Sequence, residues 1–433
     1  MKKSANEPLR VGIIGLGGFA GAHHEAVRAL EDAGACRLVC TCDPRLDAFY
    51  ERRRELNFAE RKVRVFPDYL EMLDACRNEL DIVTIPTPVH LHAPMHRACA
   101  ERGLAVYLEK PPTLDWMELE EMLAVEGRAR LLTNVGFSYI VDPQRQALKR
   151  RLVAGEFGAV KKVSVFALWP RTSAYYARAG WAGRLMLDGR LVLDSCLGNG
   201  IAHYAHNALF WCGTEALWAW GRVKEAAAEL YRAHDIEGAD TVFLQAVMDG
   251  GADLAIAMSH ACTGPSRNEE RVECGRATIV YLVETNKRGG SRQNYTIHWR
   301  DGRVETGSNE VENLLLANLR AYFDYLRGTG DRPLTRLADC RPFVHLNGLA
   351  YLAARRIGTV PRSAIERTSP AGTQGISVAI QGLDGIFARF LTTGAFPSAQ
   401  AVPWAAPGGR AEVADLPRLL ATVEEMALER VQE

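Results

Sequence analysis

Two segments hold the side chains best suited to proton chemistry: Glu109-Lys110-Pro111 and the run Asp194–Gly213. In the second, Ile201, Ala205, Ala208, Leu209 and Cys212 fall on one face of a helix of 3.6 residues per turn. Asn199, His203 and His206 fall together on the opposite face, and Gly213 is placed to stop the helix. The pattern therefore predicts one packed side and one side presenting an amide and two imidazoles. An imidazole titrates near neutral pH, so it can take the proton of an alcohol hydroxyl. Lys110 follows a short apolar strand, and Pro111 and Pro112 stiffen the turn behind it. Its ammonium could polarise a hydroxyl or carbonyl oxygen. In the loop-like stretch Trp181-Ala182-Gly183-Arg184, the arginine could pair with a carboxylate or hydroxyls and the indole could stack on a bound ring. Tyr175, Tyr176 and Arg178 are weaker candidates of the same kind. No metal is expected: His203 and His206 have no carboxylate on their face, and Cys36, Cys40 and Cys42 lack the second half of a zinc site. The bland alternatives are a solvated helix face and a tryptophan plugging the core.

The elements that must position these groups begin with a β-branched run, Arg10–Ile14, ending in Gly15-Leu16-Gly17-Gly18-Phe19-Ala20. A helix with apolar residues at Ala22, Ala26 and Leu30 follows until Gly34. A glycine first in such a turn permits the tight bend, a second lets the backbone approach a pyrophosphate, and a small third residue lets helix and strand pack closely. The helix N-terminus offers N–H groups to phosphate oxygens. Asp43 stands at the end of the next strand, Arg37–Cys42, further along than the usual spacing of about 20 residues. A carboxylate there suits the ribose hydroxyls of NAD and would repel the extra phosphate of NADP, although Arg45 could reach such a phosphate. NAD is the expected cofactor and NADP the less favoured one. Further strands, Val63–Phe66, Asp81–Ile85 and Ala105–Leu108, alternate with helices near Leu46–Leu56, Tyr69–Asn78 and Ala93–Glu101. Thr113 is placed to cap another helix running to about Glu126. This rhythm predicts a doubly wound parallel sheet over residues 1–134. Pro86, Thr87, His90 and His92, like Glu109 and Lys110, follow strand ends, where such sheets bind ligands.

After about residue 135 the rhythm changes. Strand-like stretches at Val160–Leu168, Thr241–Met248, Leu254–His260, Ala277–Val283 and Asn294–Trp299 predict an open, mostly antiparallel sheet in an α+β domain over residues 135–369. Helices near Asn309–Arg327 and Leu337–Arg356 close it. A tail over residues 370–433, rich in Pro, Gly and Ala, is expected to pack back on the other domains. Lysine plus arginine equal aspartate plus glutamate at 52 each, which gives no electrostatic reason to expect nucleic acid or an anionic membrane surface. The basic start, Met1-Lys2-Lys3-Ser4, lacks the apolar core of a secretory leader. Ten scattered cysteines suit reduced thiols in a cytoplasm.

Together these segments resemble the glucose–fructose oxidoreductase, inositol dehydrogenase and rhizopine-catabolism (Gfo/Idh/MocA) family. The resemblance runs through Gly15 with His23, Thr87-Pro88 with His92, Glu109-Lys110-Pro111, Val135-Gly136-Phe137, Gly155–Gly158, the helix ending at Gly213, and Ile236-Glu237-Gly238-Ala239-Asp240. It implies a two-domain, NAD(P)-dependent oxidoreductase acting on a sugar, polyol or related alcohol. It also implies that Lys110 assists the reacting oxygen, that His203 is the acid/base, and that copies associate as a dimer or tetramer through the C-terminal sheet. The family usually carries Asp-x-x-x-His-x-x-Asp on the helix before Gly213. Here Asn199, His203 and His206 occupy those positions, so both carboxylates are replaced and His203 or Lys110 would carry the proton alone. Asp194 could compensate or fix the loop. Two rivals follow: an enzyme that retains NAD while cleaving or isomerising a glycoside, and a non-catalytic dinucleotide sensor.

Overall fold

The computed structural model describes residues 7–129, 131–286, 289–369, 372 and 374–432. The N-terminal residues expected not to form a leader lie outside that set. Strands β1 (Leu9–Ile14), β2 (Cys36–Cys42), β3 (Arg64–Phe66), β4 (Ile82–Ile85), β5 (Ala105–Leu108) and β6 (Asn134–Val135) form one parallel sheet in the order β3-β2-β1-β4-β5-β6. Helices α1 (Ala20–Asp32), α2 (Tyr50–Glu55), α3 (Tyr69–Cys76), α4 (His92–Glu101) and α5 (Trp116–Glu126) connect them. β4 and β5 are buried along their whole length, as a sheet covered on both faces requires. The order reverses between β1 and β4, which opens a crevice at the strand ends, where Gly15 and Thr87 stand. The α5 cap is Asp115, whose carboxylate accepts the N–H groups of Met117 and Glu118. Thr113, expected in that role, instead accepts the N–H of Asp115 and donates to Glu118.

Helix α6 (Pro143–Val153) leads into β7 (Val160–Leu168), the short helix α7 (Ser173–Ala177) and a small hairpin, β8 (Met186–Leu187) and β9 (Arg190–Leu191). Helix α8 (Ala202–Cys212) precedes the strands β10 (Val223–Arg232), β11 (Thr241–Met248), β12 (Asp253–Ser259), β13 (Arg267–Cys274), β14 (Ala277–Thr285), β15 (Ser291–Trp299) and β16 (Val304–Val311). Then come α9 (Leu314–Arg327), α10 (Arg341–Ala354), β17 (Ile357–Thr359), β18 (Ile365–Thr368), β19 (Ser377–Ile380), α11 (Leu383–Thr393), β20 (Arg410–Glu412) and α12 (Leu419–Gln432). The large sheet runs β16-β15-β14-β13-β7-β12-β11-β10-β17, with β20 also on β10. Only β7–β12 and β10–β17 pair in parallel; the other pairs are antiparallel. Residues 309–311, expected to begin a helix, complete β16; the apolar run that makes a helix starts only at Leu314.

Helix α9 returns to the first domain. Its Leu319, Tyr322, Phe323 and Leu326 share a core with Val27 and Leu30 of α1. The tail packs mainly on the second domain. Leu383, Phe387 and Phe390 of α11 cover Tyr231, Phe243, Ala255 and Ala257 of the large sheet, with Phe243 edge-on to Phe387 at 5.0 Å and to Phe390 at 5.3 Å. The tail touches the first domain where Trp116 donates to the Leu416 carbonyl at 3.1 Å. Over β7 and β10–β12 the same chain thus covers this face of the sheet. The uncovered face over β13–β16 carries ion-paired charges, Arg271 with Glu269 and Arg292 with Glu310.

On the inner face, α8 is held by a buried ion pair. Arg145 of α6 meets Glu270 of β13, both without solvent exposure. Asn207 Nδ2 and Trp211 Nε1 of α8 donate to the two Glu270 oxygens at 2.8 and 2.6 Å. Lys149 donates to the carbonyls of Phe210 and Gly213 at the end of α8. Removing one member of a buried pair leaves the other charge uncompensated, which costs about 3–5 kcal/mol. Glu270→Ala is therefore expected to lower the unfolding free energy by about that amount, read from denaturant melts. Phe387→Ala should cost a comparable ~3–5 kcal/mol and expose the sheet face, read as increased self-association in sedimentation. A melt unchanged by Phe387→Ala would show that α11 is not a structural cover.

Candidate active site

At the end of β1, Gly15 has φ +119° and Gly18 φ +55°, conformations that side chains resist, and nothing lies within 4 Å of a Cβ built at Gly18. Helix α1 then begins with no side-chain cap and no acidic residue in its first turn, so its positive end meets no competing anion. Asp43, buried at the end of β2, accepts the N–H groups of Leu16 at 3.1 Å and Arg45 at 2.9 Å. A carboxylate so held keeps lone pairs for ribose hydroxyls. This bare, positive-ended loop beside an oriented carboxylate fits a dinucleotide. Two residues of the cradle carried no sequence signal. A Cβ at Gly17 would lie 2.7 Å from the Phe49 ring, so the close approach there is aromatic. Arg52 donates to the Leu16 carbonyl at 2.8 Å and lies against Gly21. Arg45 stands exposed, 5.7 Å from the centre of the Phe49 ring. Phe19 is exposed and Ala20 buried at the mouth of the loop.

Among the strand-end residues, Pro86 is buried, while Thr87 and His90 are half-buried. His92 departs from its expected role as a cofactor ligand. It is fully buried, its ring nitrogens 2.8 Å from the carbonyls of Thr87 and Pro111, and so ties two strand-end turns together. Glu109 is likewise engaged by the protein. Its Oε1 lies 3.0 Å from His23 Nε2 of α1, and its Oε2 accepts the Lys110 N–H at 3.2 Å. A Cβ at Gly136 would come within 2.8 Å of that carboxylate, which explains a glycine there.

Lys110 reaches across the domain boundary. Its Nζ donates to the Asn199 carbonyl at 2.8 Å and approaches Asn199 Oδ1 at 3.4 Å. Burial pulls the lysine pKa down, Glu109 and Asp194 push it up, and Arg171 and Arg178 pull it down again. Asn199 sits on a π-helical turn, Cys196–Gly200, rather than on α8 itself. Asp194 fixes that turn: its Oδ1 accepts Asn199 Nδ2 at 2.7 Å and its Oδ2 the Gly183 N–H at 2.6 Å. Burial raises the Asp194 pKa against these hydrogen bonds.

α8 is not amphipathic. Every residue from Tyr204 to Cys212 is buried, and only His203 is partly open. The His203 ring stacks on Tyr139 at 4.5 Å, and its Nδ1 is buried without a partner. Burial, then Lys110, then His206 hold its pKa well below the usual value, so the ring is neutral. His206 corrects the expectation of a substrate contact. It has no solvent exposure, stacks on Phe137 at 3.9 Å with both ring nitrogens unpartnered, and lies in the core. The helical wheel put it beside Asn199 because the wheel assumed one continuous α-helix. Trp181 packs against the core under the Arg178 guanidinium, 4.7 Å away. Arg184 is turned outward to Glu237 at 3.2 Å and the Gly180 carbonyl at 2.8 Å, so it is occupied elsewhere. Arg171, which carried no sequence signal, is placed so that its charge lowers the Lys110 pKa.

Residues 9–137 match the model of an oxidoreductase family with an NAD-binding Rossmann fold, Gfo/Idh/MocA. An inositol 2-dehydrogenase of Saccharopolyspora erythraea is 35% identical over 155 residues, 36% of this chain and 44% of that protein, so the match spans less than half of that relative. A D-apiose dehydrogenase of Paraburkholderia graminis is 26% identical over 383 residues, 85% of this chain and 94% of that protein. The WlbA dehydrogenase of Bordetella pertussis, solved with NADH and UDP-GlcNAcA, superposes with a TM-score of 0.63 at 22% identity, over 80% of this chain and 97% of that one. The glycine-rich turn, the strand order and the matched residues agree: residues 9–137 form an NAD-binding Rossmann domain that matches the Gfo/Idh/MocA oxidoreductase family.

Proposed function

We propose that this protein transfers a hydride between NAD and a secondary alcohol of a carbohydrate-like substrate, with Lys110 carrying the proton. The observation that carries this reading is the position of Lys110, at the end of β5 in the Rossmann sheet and 2.8 Å from Asn199 of the second domain. The relatives support it, since one is named for inositol and one for D-apiose oxidation. NAD, held at the Gly15–Ala20 turn beside Asp43, would supply the hydride acceptor or donor. Lys110 has three N–H donors, and Asn199 engages at most two of them, which leaves one for the substrate oxygen. Its lowered pKa makes the neutral amine more accessible than in a free lysine, so it can take the hydroxyl proton during oxidation and return it during reduction. His203 is a poorer base, because a charged ring would be desolvated with Nδ1 unsupported. It serves as a neutral hydrogen-bonding group beside the substrate. Buried, unpaired cysteines support a reducing, cytoplasmic setting.

Lys110→Ala is expected to lower kcat by about 10²–10⁴-fold while NAD binding, read by titration, is retained. Lys110→Arg should not restore the rate, because a guanidinium keeps its proton. Normal turnover by Lys110→Ala would place the proton elsewhere; NAD binding kept in both the parent protein and the variant, with turnover in neither, would favour the sensor.

The pH dependence follows from the sign of the shift. Alcohol oxidation needs neutral Lys110, so kcat/KM should rise with pH through an inflection below the ordinary lysine value. A rising limb centred well below the ordinary histidine value would point to His203 instead.

A further inference from the structure

Beside Lys110 the second domain gathers more positive charge than its own carboxylates answer. Arg171 follows β7. Its guanidinium lies 4.7 Å from the centre of the Trp169 ring and 4.6 Å from that of Tyr175. Among the described residues it makes no ion pair, and its buried Nε has no partner. Arg178 also lies over the Tyr175 ring, 3.6 Å from its centre. Its nearest carboxylate is Asp194 at 3.9 Å, whose oxygens already accept Asn199 and Gly183. Asn199 in turn holds Lys110. The Arg178 guanidinium and the Lys110 ammonium thus converge on Asp194, while Arg171 acts on Lys110 and Glu109 is turned to His23.

The segment bearing Arg171 is firmly built. The Arg171 N–H donates to the His260 carbonyl at 3.2 Å, and His260 Nδ1 lies 2.7 Å from the Trp169 carbonyl. His234 bridges the buried Asp240 carboxylate, at 2.7 Å, to the Arg171 carbonyl, at 3.0 Å. The Tyr176 hydroxyl nearby is also buried without a partner. A half-buried guanidinium held in place without a counter-charge is an arrangement that oxyanions complete, by charge-assisted hydrogen bonds.

We propose that Arg171 and Arg178, both over the Tyr175 ring, form an oxyanion-receiving subsite beside Lys110. The substrate is then a carbohydrate bearing a carboxylate or phosphate rather than a neutral polyol. This rests on the reading of Lys110 as the residue at the reacting carbon, which fixes where the rest of the substrate lies. Arg171 and Arg178 are specificity residues, and Asp240 with His234 are positioning residues behind them.

The test is calorimetric titration of the NADH-loaded protein with matched pairs: aldonates against their alditols, and hexose 6-phosphates against the free hexoses. The anionic member of at least one pair should bind about 10-fold or more tightly than its neutral partner. Arg171→Gln and Arg178→Gln should each erase that preference while changing neutral binding less than about twofold, and Arg171→Lys should restore part of it. Preference in the aldonate pairs identifies a sugar acid, and preference in the phosphate pairs a sugar phosphate; either supports the subsite. Equal binding within every pair, failure of all the anions to bind, or equal losses for both members in the variants would overturn it. A bound anion that never reduces NAD would sink the dehydrogenase reading and leave the subsite. Hydride transfer from neutral alditols without anion preference would do the reverse.

Discussion

A guanidinium and a carboxylate buried together must be fully matched, because either one left alone is far costlier than the pair. Arg145 and Glu270 meet that requirement only with the help of α8, which supplies the Asn207 amide and the Trp211 indole as the remaining donors. His203, Asn207 and Trp211 stand at successive intervals of four along that helix and so share a stripe. Seating Asn207 and Trp211 on Glu270 fixes the rotation of α8 and aims His203 toward Lys110. A network that looks like scaffold thereby sets the direction of a functional side chain. Lys149 closes the far end of the same helix, where carbonyls lack helical partners.

The second organising joint is the contact between Lys110 and Asn199, one residue from each domain. Lys110 is the last element of a chain that runs from α1 through His23 and Glu109, and Asn199 the last of one that runs from Gly183 through Asp194. Asn199 offers Lys110 an amide and a carbonyl rather than a carboxylate, and the negative charge sits one step back on Asp194. The ammonium therefore feels the carboxylate through an intervening hydrogen bond, and its proton is held less firmly than a direct ion pair would hold it.

The parallel sheet was readable because its signals are local: β-branched runs, glycine punctuation and alternation with helices. Lys110 and Asp43 were readable for the same reason, as residues at predicted strand ends. The failures were non-local. Nothing in the spacing of Asn199, His203 and His206 reveals that a π-helical turn breaks the wheel, or that Phe137, far away in sequence, covers His206. His92 has the composition of a ligand, and only the folded turns around Thr87 and Pro111 show its nitrogens to be engaged. Arg171 and Arg184 are the same residue type on the same side of α8; what separates them is Glu237, which meets one and not the other. β10, β13 and β16 were passed over because their alternation is interrupted by alanines or dense charges, and sheet pairing outweighs such weak propensity.

The cover that α11 lays over β7 and β10–β12 belongs to the same molecule as the sheet beneath it. Its association is first-order, so the apolar surface it removes from water stays removed at any dilution. A face closed by a neighbouring copy is different: its stability follows mass action and fades as protein becomes scarce. This half of the sheet carries its own lid, and its integrity is independent of how many copies surround it.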